Sequence, residues 1–106
     1  MKRTALALFA AASITACTTT ASDLRTRPPV HTFQTAKPPM RVAQCISESV
    51  SKIGAPSVLQ DESETTVTFV QENATTLFIT IANDGAGKVW RVNGLIPYRS
   101  ALERCA

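Results

Sequence analysis

The sequence predicts a small α+β domain of order α-β-β-β-α: an antiparallel three-stranded meander with a short fourth segment, and two terminal helices packed on one face of the sheet and linked by a disulfide. Three observations lead there. An apolar stripe of helical period occupies residues 41–53. Segments rich in β-branched residues alternate at period two between Thr65 and Asn93. A second helical stripe closes the chain, and each helix carries a cysteine on its apolar side.

The chain opens with Met1-Lys2-Arg3, an apolar run from Ala5 to Ala12, and Ser13-Ile14-Thr15-Ala16-Cys17. A basic start, a short apolar segment and small residues before a cut describe a secretory signal peptide over residues 1–16, because a membrane span needs about 20 apolar residues. Ile14-Thr15-Ala16-Cys17 resembles the lipobox of bacterial lipoproteins: an apolar residue three before the cut, small residues next, then the obligatory cysteine. The resemblance covers the signal alone. It implies that the Cys17 thiol takes a diacylglycerol, that cleavage precedes Cys17, and that the new amino terminus is acylated by a chain such as palmitate. In that family an aspartate directly after the cysteine retains the protein at the inner membrane. Thr18 stands there, so the resemblance implies a lipid anchor in the outer membrane with the protein facing the periplasm.

Residues 17–40 read as a Thr/Pro-rich tether, with Thr18-Thr19-Thr20, Arg27-Pro28-Pro29 and Lys37-Pro38-Pro39 biasing the backbone to extended conformations. As a flexible coil it would span about 25–30 Å and hold the domain clear of the bilayer. His31 falls here, as a solvated linker residue. The folded part is then residues 41–106, a single domain of about 65 residues. A core of that size supplies about 3–5 kcal/mol and calls for a staple. Of three cysteines, Cys45 and Cys105 remain once Cys17 carries lipid, an even pair in a chain sent to an oxidising compartment.

From Arg41 to Ile53, Val42, Cys45, Ile46, Ser49, Val50 and Ile53 share one helical face, and Gly54 and Pro56 end the helix. Ser57–Gln60 is the short fourth strand segment. Val67 and Phe69 then alternate with Thr66, Thr68 and Val70; Leu77, Ile79 and Ile81 with Phe78, Thr80 and Ala82; Val89 and Arg91 with Trp90 and Val92. Asp61-Glu62-Ser63-Glu64, Glu72-Asn73-Ala74 and Asn83–Gly87 are the connections, short enough to pair neighbouring strands antiparallel. Pro97 suits a first helical position, and Tyr98, Ala101, Leu102 and Cys105 form the last stripe. One sheet face is left open in this reading.

Lys2 and Arg3 contribute to the formal charge of +3 and leave with the signal, so the mature protein is near balance and no nucleic-acid partner is implied. The constellations of an enzyme are missing from the sequence: the one histidine lies in the tether, Glu62 and Glu64 are solvated, and Asn83-Asp84-Gly85 lacks the further acids of a calcium loop. The expectation is no enzymatic activity, no cofactor, no metal and no small-molecule substrate. A contact surface is the better expectation, with Trp90, Arg91, Arg99 and Arg104 as anchors for an unidentified envelope protein.

The functional expectation is therefore a membrane-anchored structural or adaptor lipoprotein, its partners the bilayer through Cys17 and an envelope component. The alternative is a periplasmic inhibitor of a lytic hydrolase such as lysozyme. Small disulfide-stapled envelope lipoproteins include lysozyme inhibitors, but that family is mainly β-barrel and the terminal helices here depart from it. Ile53-Gly54-Ala55-Pro56 resembles the helix-ending turn of the small assembly-factor lipoprotein of outer-membrane β-barrel insertion, a helix followed by a three-stranded sheet. The Cys45–Cys105 pair and the terminal helix depart from that pattern, so none of its residues is carried over.

Overall fold

The computed structural model describes residues 19–50 and 53–106, and among them it has three helices and a five-stranded antiparallel sheet. The elements are α1 (Ala21–Arg25), β1 (His31–Gln34), α2 (Pro39–Ser49), β2 (Ala55–Gln60), β3 (Glu64–Gln71), β4 (Ala74–Ala82), β5 (Ala86–Arg91) and α3 (Arg99–Cys105). The strand order is β1-β5-β4-β3-β2. The expected signal peptide and the expected lipidation of Cys17 fall on residues outside those described, as do Ser51 and Lys52.

The α+β class, the antiparallel meander and the two helices joined by sulfur all stand. Val67↔Ile79, Phe69↔Leu77 and Ile79↔Val89 are ladder partners, so period-two alternation sends all five side chains to one face. There they meet Val42, Ala43 and Ile46 of α2, Leu102 and Cys105 of α3, and Tyr98 just before α3, in the main core. Cys45 and Cys105 are bonded, with Cα atoms 5.6 Å apart, the usual separation for a disulfide.

The strand count is five, not three. The fourth segment is a full edge strand, β2, tolerating Pro56 because a missing N–H costs least at an edge. The fifth, β1, comes from the stretch read as tether. His31 and Phe33 pair with Val89 and Gly87, and Phe33 lies over Gly87, where any Cβ would collide with its ring. Aromatic cover of a strand glycine restores the packing that glycine forfeits.

Residues 19–40 are thus part of the fold, which corrects the tether. The proline pairs act as punctuation: Pro28-Pro29 separates α1 from β1, and Pro39 starts α2 at a position where no donor is lost. α1 has a capping box, in which the Asp23 N–H donates to Thr20 Oγ1 (3.3 Å) and the Thr20 N–H to Asp23 Oδ2 (3.1 Å). Its Leu24 is fully buried against Phe78 and Trp90, and Arg25 Nη2 lies 3.0 Å from both Glu64 carboxylate oxygens. The face expected to be open is therefore partly covered. Thr20→Ala should lower the denaturation midpoint by the equivalent of about 0.5–2 kcal/mol, measurable by urea titration.

Other boundaries moved as well. α2 stops at Ser49 because Val50 turns extended (φ −104°, ψ 117°), and Ile53 enters the core from the approach to β2. Gly54 (φ +130°) caps no helix: the Val70 carbonyl occupies the space a Cβ would need. α3 starts at Arg99, after Pro97 and Tyr98, so Pro97 is not its first residue. The β3–β4 link is a two-residue turn with positive φ at Glu72 and Asn73, the pattern of a type I′ hairpin. A register shift between Phe69 and Val70 leaves Thr76 without a ladder partner. Its hydroxyl instead donates toward Ile53 O (2.6 Å) and Phe69 O (3.2 Å). At the other end of the sheet, Ser63 and Glu64 backbone N–H groups donate to Asp61 Oδ1, holding that exposed carboxyl below the ordinary aspartate range.

Candidate functional site: an arginine–tyrosine cluster

β5 is the strand that divides the expected anchors. Trp90 and Arg91 are sequence neighbours, and a strand sends neighbours to opposite faces. Trp90 lies under α1, its indole N–H donating to Arg27 O at 2.9 Å, its ring 5.7 Å from that of Phe78. It is a packing residue. Arg91, opposite Leu77 at the end of β5, faces the side of the two disulfide-linked helices.

There Arg91 meets Tyr98. The guanidinium carbon of Arg91 is 5.1 Å from the Tyr98 ring centroid and that of Arg99 is 5.6 Å away, within cation–π range. His31 joins them with its ring 5.8 Å from Tyr98. It is therefore a sheet residue beside this cluster, not a linker residue. Tyr98 is buried, so the pair of arginines sits on a fixed aromatic support. Arg91 Nη1 also donates to Ile96 O (3.3 Å), tying β5 to the following loop.

The loop makes the outer wall. The Leu95 N–H donates to Asn93 Oδ1 (2.9 Å) and the Ile96 N–H to Asn93 O (3.4 Å), a side-chain-stabilised turn that leaves Leu95 89 % exposed. Arg91, Leu95, Ile96, Pro97, Tyr98 and Arg99 line a concavity of about 430 Å³. Two cations, an aromatic floor and an apolar rim suit an anionic group attached to an apolar body. Arg104 lies in the last turn of α3, away from Arg99 at its start, and is not part of the cluster.

Of the four expected anchors, then, the fold brings Arg91 and Arg99 together and separates Trp90 and Arg104 from them. Tyr98, His31 and Leu95 were not foreseen at this site. Tyr98 carried only the signal of a core position, which it also is. Among the described residues no group of three or more His, Cys, Asp or Glu is disposed to hold a metal, and no helix is long and apolar enough to cross a membrane. Comparison with known proteins finds no family model, no curated relative and no solved structure that matches this chain.

Proposed function

We propose that the protein is a lipid-anchored module of the cell envelope, attached through acylated Cys17 to the outer membrane on its periplasmic side, and that it works by binding rather than by catalysis. The observation that carries the binding part is the Arg91–Tyr98–Arg99 cluster, two guanidiniums on one buried ring beside a concavity. Cations held over an aromatic face lose less freedom on contact than mobile surface arginines, which favours a recognition role. The lipobox-like Ile14-Thr15-Ala16-Cys17 supports the anchor.

Two measurements test this reading. Cys17→Ser should move the protein from the membrane pellet to the soluble periplasmic fraction, and unchanged membrane retention would contradict the anchor. A photo-reactive residue at position 99 of the lipidated protein should capture an envelope component in cells, whereas the same residue at exposed Glu62 should not. Equal capture from both positions would leave the cluster without a binding role.

A further inference from the structure

The Arg91–Tyr98–Arg99 cluster stands at the end of the sheet from which the chain departs toward Cys17. The Thr75 N–H donates to Thr19 O at 2.8 Å, and the Val92 N–H donates to Thr76 O at 3.0 Å. Consecutive residues of β4 therefore hold the start of the described chain and the strand end that leads into the Asn93–Pro97 loop. Two peptide steps separate Thr19 from Cys17, a reach of at most about 7 Å. A lipid on Cys17 would leave no room for the domain to stand off from the surface.

The same end gathers apolar surface. Of the four large hydrophobic residues exposed among the described residues, Val30 precedes β1, Val70 ends the β3 core alternation and Leu95 tips the loop, all at this end; Leu59 lies on the β2 edge. Leu95 is held outward by the Asn93 turn, with Arg91 and Arg99 behind it. An exposed apolar tip backed by arginines matches the layering of a bilayer interface, where an apolar side chain enters the acyl boundary and guanidiniums meet phosphates. Among the described residues the acids Glu72, in the β3–β4 turn, and Glu48, in the last turn of α2, stand at this end beside Arg91 and Arg99, so the recognition does not call for a strongly anionic membrane. The hairpin loops bearing Asp61, Glu62 and Asp84 are at the opposite end.

We propose that this end is a membrane-docking surface: the Asn93–Pro97 loop inserts Leu95 into the phospholipid interface of the bilayer that carries the anchor, with Arg91 and Arg99 contacting lipid phosphates. The inference rests on the lipid-anchored reading above and names the bilayer as what the cluster binds. It fixes the orientation of the protein, with the two acidic hairpin loops directed away from the membrane.

The test uses mature lipidated protein in vesicles of phosphatidylcholine, alone and mixed with phosphatidylglycerol. Leu95→Cys and, separately, Glu62→Cys carry a polarity-sensitive fluorophore, with the Cys45–Cys105 bridge intact. The label at 95 should shift to the blue in both vesicle types and lose intensity to lipid chains spin-labelled near the headgroup; the label at 62 should do neither. Mass spectrometry of the same sample reads the diacylglycerol on Cys17. If Cys17 is lipidated and the label at 95 stays in water, docking is overturned while the anchor stands. If Cys17 carries no lipid, the anchor falls and docking falls with it.

Discussion

Cys45→Ser should lower the melting temperature by roughly 15–30 °C, and reductant should do the same to the wild-type protein. The bridge closes a loop of 60 residues in sequence separation and ties α2 to α3 across the face of the sheet. In the chain-entropy account, opening a loop of that length releases unfolded-state freedom equivalent to about 4 kcal/mol, comparable to the whole stability of a domain this small. Each kcal/mol moves the midpoint of such a domain by about 4–8 °C. Both half-cystines face the main core, so a serine at 45 also places a hydroxyl where a sulfur packed. Equal melting temperatures with and without reductant would remove the bridge from the account of stability.

Leu24→Ala should destabilise the protein by about 2–4 kcal/mol, a fall of order 10–25 °C in melting temperature. Leu24 is the one fully buried side chain of α1 and fills the space over Phe78 and Trp90. A five-residue helix has almost no stability of its own, so its place on the sheet depends on that contact. The substitution should also uncover Trp90, the sole tryptophan, and shift its emission to the red. A flexible linker would give neither change. Arg25 adds little, because its ion pair with Glu64 is half exposed.

The parts of the fold legible in the sequence are those where apolar period and burial coincide. Val67, Phe69, Leu77, Ile79 and Val89 alternate in sequence as they do in the sheet, and Cys45 and Cys105 sit on the helical faces that the stripes defined. The amino-terminal third was illegible for a physical reason. α1 buries a single leucine, β1 is four residues long with two side chains turned inward, and a proline pair precedes or follows each. Neither has enough apolar surface to signal an element alone. Their order comes from the sheet already present: β5 supplies a free edge for β1, and the Phe78–Trp90 pair supplies a floor for Leu24. The local trace that did exist was Thr20-x-x-Asp23, the capping box of α1.

The candidate site divides in the same way. Arg91 and Arg99 were visible as residue types but not as a pair, because what joins them is Tyr98, brought between them by the packing of α3 on the sheet. Trp90 could have been set apart from Arg91 by strand alternation alone. Leu95 gives no periodic signal; its exposure follows from the Asn93 turn.

Thr19 is already tied to the sheet, which removes a spacer of residues 19–40 between Cys17 and the folded unit. Hydrogen exchange on the mature protein measures this most directly. The Thr75 amide, bonded to Thr19 O, and the Val30 and Thr35 amides, bonded to Val89 O and Gly85 O, should exchange far more slowly than unstructured peptide. Exchange of these three amides at random-coil rates, with the β3–β4 ladder still protected, would restore the tether and contradict the account.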